Sequence, residues 1–140
     1  MNNDCLYCNR NQLQKDLMIE ICDLKVSTLF LFKEQTYRGR CIVAHNDHNR
    51  ELYELDAQEL ADYMADVNKV AKAIKAAFAP AKVNYGAYSD KLPHLHFHLV
   101  PKYVDGPDYG STFVMNPQQV YLSEAEYAEI IELIKGKLAP

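Results

Sequence analysis

The chain has no tryptophan, no apolar run longer than four residues, as at residues 29–32, and no excess of basic charge. Lys and Arg number 15 against 19 Asp and Glu, a formal charge of −4. A bilayer span needs about 20 consecutive apolar residues, so no transmembrane helix is expected. Nucleic acid is not the expected partner, because phosphate backbones are held by clustered Lys and Arg. Residues 1–5 lack the basic start and apolar stretch of a signal peptide. Disorder is also excluded, since 49% hydrophobic and 24% charged residues are ordinary globular proportions. What remains is a soluble, cytoplasmic protein of 140 residues. That length suits one domain with a real core. The four cysteines, Cys5, Cys8, Cys22 and Cys41, need not pair. In a reducing compartment thiols stay free or bind metal. Cys22 and Cys41 sit in apolar strand-like runs and read as small core residues.

The single domain, 1–140, has its core at about 17–103, with an N-terminal segment before it and a loop and helix after it. Alternation of Leu17, Ile19 and Ile21 with Met18, Glu20 and Cys22, followed by the run at 26–32, predicts a hairpin. A third strand fits residues 41–44, entered through Gly39. Asp56 with Glu59 makes a capping-box start. Behind it Leu60, Tyr63, Met64, Val67, Val70, Ala71, Ile74 and Phe78 mark one face of a long helix closed by Pro80. Strands follow at 82–87 and 94–103, then a Gly- and Pro-containing loop at 105–117. Ser123 and Glu126 cap a closing helix with Tyr127, Ile130, Ile131 and Ile134 inward. The order predicts an α+β domain with a mostly antiparallel sheet.

Three of the five histidines fall within seven residues, His94-Leu95-His96-Phe97-His98-Leu99-Val100. On a strand His94, His96 and His98 share one face, about 6–7 Å apart, and Leu95, Phe97 and Leu99 the other. Three imidazoles in register are poor packing and point to chemistry. His-x-His could place two nitrogens on zinc, though a catalytic zinc needs a third ligand and an open position. A binuclear metallohydrolase would follow the second histidine with Asp-His, where this chain has Phe97-His98-Leu99. The other chemistry is nucleophilic: neutral imidazole is well populated at pH 7 and attacks phosphorus without a separate base.

The run from His94 to Val100 resembles the His-φ-His-φ-His-φ-φ signature of the histidine triad superfamily, where φ is apolar. Asn84 resembles the family's asparagine on the preceding strand, and residues 39–48 resemble its Gly-His-x-Leu-Val-x-Pro-Lys-x-His segment. Pro101-Lys102-Tyr103 after the triad is similar to the bacterial branches. The resemblance implies a five-stranded antiparallel sheet with one long helix and a C-terminal helix. It also implies a nucleotidyl hydrolase or transferase acting on purine, adenosine-type nucleotides, dinucleoside polyphosphates among them. His96 would be the nucleophile forming a nucleotidyl-histidine, His98 would contact phosphate oxygens, and Asn84 would lie in the nucleotide site. No carboxylate cluster adjoins the triad, so no catalytic magnesium is expected. A nucleotide- or partner-binding protein with vestigial turnover is the competing class.

Two departures bear on substrate. Ser89-Asp90-Lys91 stands where phosphoramidases have Gly-Gln-Ser/Thr, which weakens the case for phosphoramidates. Lys91 could contact polyphosphate instead, or be a solvated loop lysine. Arg40 replaces the family's histidine and His45 its proline. Cys5 and Cys8 form a Cys-x-x-Cys pair able to reach one tetrahedral zinc, with His48 and His94 completing the set as in some bacterial relatives. A redox pair is disfavoured because no strand precedes the motif. His45 competes with His48 for that place, and spacing to the helix favours His48. A homodimer is expected, on the family's habit and on a helix at 56–78 too long for one small sheet to cover its stripe.

Overall fold

In the computed structural model, residues 5–138 are described; residues 1–4, where the absence of a leader was read, and 139–140 lie outside them. Two short helices, α1 (Leu6–Asn9) and α2 (Gln12–Leu17), precede the sheet. Then come β1 (Met18–Asp23), β2 (Ser27–Phe32), β3 (Cys41–His45), the long helix α3 (Ala57–Phe78), β4 (Lys82–Gly86), β5 (His96–Lys102) and α4 (Glu124–Leu138). The five strands form one antiparallel sheet in the order β1-β2-β3-β5-β4. The expected α+β architecture is present. Among the described residues no helix is long and apolar enough to cross a membrane.

Why the strands pair in this register follows from their two buried faces. Leu29, Leu31, Cys41, Val43 and Leu99 meet the α3 stripe of Tyr63, Val67, Val70 and Ile74. Phe30, Phe32, Ile42 and Ala44 turn the other way, towards Leu6, Tyr7 and Met18. Each fully buried aliphatic side chain contributes about 1.5–3 kcal/mol, so a one-residue slip would be ruinous. Asp56 caps α3 by accepting the Glu59 amide at 2.8 Å, and Ser123 and Glu126 cap α4 reciprocally. Gly39 has φ +92°, and a Cβ there would sit 2.7 Å from the Phe78 ring, so the turn into β3 requires glycine.

Three expectations change. Strand β5 starts at His96, not at residue 94. The Leu95 amide bonds to Asn49 O at 2.7 Å instead of joining the ladder, and Pro93 cannot donate at all. The N-terminal segment is helical where no element was expected: Cys5 caps α1, and Gln14 ties α2 to it by donating to Leu6 O at 3.0 Å. The apolar stripe of α3 is not left waiting for a partner copy. Tyr127, Ile130 and Ile134 of α4 join the same core, and of the stripe only Leu60, 37% exposed, stands well out.

The loop after β5 is pinned across the sheet. Glu34 accepts the Gln119 and Val120 amides at 2.8 Å each, Tyr37 donates to Asp108 and accepts the Val114 amide, and Lys102 donates to the Asp108 and Ser111 carbonyls. This brings Phe113, Met115 and Asn116 to the face bearing the histidines.

Asp66 of α3 is buried and holds the β1–β2 turn, accepting from the Lys25 and Val26 amides at 3.2 and 2.9 Å and from the Ser27 hydroxyl at 2.6 Å. Asp66→Ala should therefore cost about 3 kcal/mol, because buried donors lose a charged acceptor. The measurement is the urea midpoint at constant slope; an unchanged midpoint would mean water replaces the carboxylate.

Candidate functional site

The residue types at the centre of the sheet leave little freedom of protonation, because each histidine ring meets a partner that only accepts or only donates. His94 Nε2 lies 2.6 Å from the His45 carbonyl, which can only accept, so the proton is on Nε2 and the Nδ1 lone pair faces away. His96 Nδ1 lies 2.7 Å from the His94 carbonyl, so here the proton is on Nδ1 and Nε2 carries the lone pair. His98 Nδ1 lies 3.1 Å from an Arg40 nitrogen, which can only donate, so His98 is an Nε2–H donor. Burial holds His94 and His96 below the ordinary imidazole range. Burial first, then the charge of Arg40 and the proximity of His96, push His98 down to about 2. All three rings are neutral at pH 7.

His96 and His98 floor a cavity of about 440 Å³. Its walls are largely apolar, with Leu17, Phe32, Ile42 and Met115 among them, and Ser89, Asp90 and Lys91 form a polar rim. Tyr7 packs on two of the histidines: its ring centroid lies 4.9 Å from that of His96 and 5.3 Å from that of His94. Ser89 adopts a left-handed φ of 59° and donates to the His94 carbonyl at 3.3 Å, beside the His96 Nδ1–H. A non-glycine residue held there stores strain at a site wall.

The His94 Nδ1 lone pair points into a second cluster. Cys5, Cys8, His48 and His94 offer one ligand atom each, all within 4.8 Å of one another. His94 Nδ1 lies 3.3 Å from Cys5 Sγ, 3.5 Å from Cys8 Sγ and 3.1 Å from His48 Nδ1, and Cys8 Sγ lies 3.2 Å from His48 Nδ1. A tetrahedral zinc with its usual bonds of about 2.3 Å to sulfur and 2.0–2.1 Å to nitrogen has edges of about 3.3–3.8 Å. The donor set fits that ion, and the His94 Nε2–H bond to His45 O is the outer hydrogen bond that fixes a ligating imidazole. His45 is not in the cluster: its Nδ1 accepts the Asp47 amide at 3.2 Å, and its ring packs on Tyr63 beneath α3.

The other expected residues divide. Lys91 reaches the cavity rim. Asn84 shares the triad's face, opposite Val100 and two residues from the Gly86–His98 pair, but it lines a separate hollow of about 260 Å³ with Lys82, Lys102 and Ser111. Arg40 and Tyr7 were not expected in the site. Alternation with Ile42 and Ala44 would have placed Arg40 on this face; nothing local marks Tyr7 except its place between the two cysteines.

A HIT domain family model matches residues 18–105. The chain is 25% identical over 123 residues to the adenosine 5'-monophosphoramidase hnt1 of Schizosaccharomyces pombe, covering 83% of this chain and 90% of that one. In fold it is similar to a histidine triad protein of Bradyrhizobium japonicum (TM-score 0.84, 21% identity, 92% and 96% of the two chains covered). It is likewise similar to a Zn-bound histidine triad family protein of Mycobacterium smegmatis (TM-score 0.69, 18% identity, 96% and 93% covered). The matched span runs from β1 through β5 and includes the whole histidine row, and the chain belongs to the HIT domain family.

Proposed function

We propose that the protein is a nucleotidyl hydrolase that cleaves the α-phosphate linkage of adenosine-type nucleotides, dinucleoside polyphosphates or other adenylylated compounds, through a nucleotidyl-histidine on His96. The observation that carries this reading is the His96 ring, its Nδ1 proton tied to the His94 carbonyl at 2.7 Å and its Nε2 lone pair left to a cavity of nucleoside size. Nε2 attacks the α-phosphorus, the bond to the leaving group breaks, and the leaving group departs with the electron pair. Water then attacks the same phosphorus, the P–N bond breaks, and AMP leaves with His96 restored. His98 donates its Nε2–H to a non-bridging oxygen, a bond that strengthens as charge develops. The name of the yeast relative supports an adenosine nucleotide. Lys91 at the rim could meet a polyphosphate leaving group. Asn84 would lie in the nucleotide site on the family pattern, although in this structure it lines a separate hollow.

Cys5, Cys8, His48 and His94 would hold a zinc ion whose contribution is structural, since four protein ligands leave no open position. Such a site suits the reducing cytoplasm, where the thiols stay available. The protein would act as a homodimer. Support comes from β4, one of the two edges of the sheet, whose outer side no strand pairs among the described residues, and from Tyr85 within it and Tyr88 just after it, 54% and 55% exposed.

Three outcomes are expected. Intact mass after quenching with an adenylylated substrate should show an acid-labile AMP adduct, and His96→Ala should lose it together with about 10⁴-fold or more of turnover while keeping AMP affinity. Full turnover in His96→Ala would end the triad mechanism. Protein prepared without chelators should carry about one zinc per chain, and its removal should lower the melting temperature; absence of metal in such protein counts against the site. Sedimentation at micromolar concentration should give a dimer, and a stable 16.0 kDa species would refute the edge pairing.

A further inference from the structure

Arg40 is wholly buried at the entrance to β3, and no carboxylate among the described residues forms an ion pair with it. Among the described residues the ion pairs are Arg10 with Glu20 and Lys25 with Asp62. Glu34 acts on Arg40 only at a distance, its carboxylate being occupied by Thr36, Gln119 and Val120. One terminal nitrogen donates to the Val114 carbonyl at 3.3 Å; the other meets His98 Nδ1 at 3.1 Å and Met115 sulfur at 3.5 Å; Nε has no partner. The guanidinium lies 4.2 Å from the Phe32 ring centroid and 5.1 Å from that of Phe113. Two aromatic faces attract a desolvated cation, but less than an unpaired buried charge costs. Burial lowers its pKa only to about 10, so the charge persists at neutral pH.

A buried cation without an ion pair leaves charge that an arriving anion can balance. Of the cavity-lining residues it touches, Phe32, His98 and Met115, His98 is the one with an N–H to offer a bound phosphate, a ring backed by Arg40 on one side and open to the cavity on the other. Resting on the hydrolase reading above, we infer that Arg40 is the positioning residue for the phosphoryl site: it locks His98 as an Nε2–H donor and supplies, one imidazole behind it, the positive charge that the substrate's phosphate balances. Three physical consequences follow. The His98 Nδ1 that faces Arg40 cannot carry the ring proton, because the guanidinium has no lone pair to accept it, so the proton stays on Nε2. The donor bond to phosphate is strengthened by polarisation through the ring in a site of low dielectric. The effect grows in the transition state, when charge accumulates on the phosphate oxygens, so it falls on the rate more than on binding. Lysine would not reproduce it, since only a planar fork fits between Phe32 and Phe113 while reaching His98.

The test compares AMP with adenosine, which lacks the phosphate, in Arg40→Met, Arg40→Gln and Arg40→Lys. Calorimetry on Arg40→Met should show AMP weakened about tenfold or more with adenosine within about twofold, as expected when one charged donor system to phosphate is lost. Single-turnover adduct formation on His96 should slow by about 10²-fold, the scale of losing an oxyanion donor. The melting temperature of the ligand-free variant should hold or rise, since an unpaired buried charge has been removed. Arg40→Lys should recover part of the AMP affinity and little of the rate. Arg40→Gln, which keeps an N–H for His98 without the charge, should lie between Met and wild type in rate, and serves if Arg40→Met does not fold. Equal loss of AMP and adenosine affinity, or adduct formation by both Met and Gln variants at the wild-type rate, overturns the inference. A wild-type protein that forms no adduct and binds no AMP overturns the hydrolase reading beneath it, a result distinct from unimpaired variants.

Discussion

The hydrogen bond from His94 Nε2 to the His45 carbonyl, 2.6 Å long and buried, is the constraint from which the rest of the site follows. By placing the His94 proton on Nε2 it turns the Nδ1 lone pair towards Cys5, Cys8 and His48. The ring is then committed on both nitrogens. The same residue's carbonyl takes the Nδ1 proton of His96 and so sets the opposite tautomer one step along the chain. Two histidines two residues apart thus hold their lone pairs at opposite ring positions. One serves the candidate metal cluster and the other the cavity.

Because both ends meet in one residue, the N-terminal segment is coupled to the centre of the sheet. Cys5 and Cys8 bracket a single helical turn that carries Leu6 and Tyr7, and Tyr7 lies over both His94 and His96. Four residues make too short a helix to persist alone. Its order derives from the packing of Leu6 and Tyr7 against Phe30 and Ile42, from Gln14, and from the cysteine cluster. Loosening the cluster would therefore uncover the rings from above while leaving the core beneath α3 untouched.

Much of this was legible in the chain. The alternation around His94 to Val100 put the histidines on one face, capping residues placed both long helices, and Cys-x-x-Cys pointed at His48 and His94. What escaped was decided by contacts between distant segments. The start of β5 shifted because the Leu95 amide bonds to Asn49, a residue far back in the sequence and invisible to periodicity. Nothing local distinguishes Asp66 from the other acids of α3, because its role depends on the turn it meets. The α3 stripe looked surplus because nothing local says that α4 returns to cover it. Arg40 was noticed as a substitution, but its setting against His98 exists only once the loop carrying Val114 and Met115 closes over it.

The commitments of His94 also bear on the leaving group. With Nε2 bound to His45 and Nδ1 turned to the cluster, His94 has no proton to give. His96 keeps its Nδ1 proton on a backbone carbonyl, and the Ser89 hydroxyl is directed to that same carbonyl. On the proposed mechanism, none of the groups nearest the attacking nitrogen is then a ready acid, and Lys91 at the rim is the cation left to meet departing charge. A group that leaves as a stable anion, such as a phosphate or polyphosphate, needs only that charge. An amine leaving from a phosphoramidate needs a proton in flight. On the proposed mechanism these groups would suit a phosphoanhydride better than a phosphoramidate, the direction in which Ser89-Asp90-Lys91 in place of Gly-Gln-Ser/Thr also points, whereas the name of the yeast relative points to a phosphoramidate.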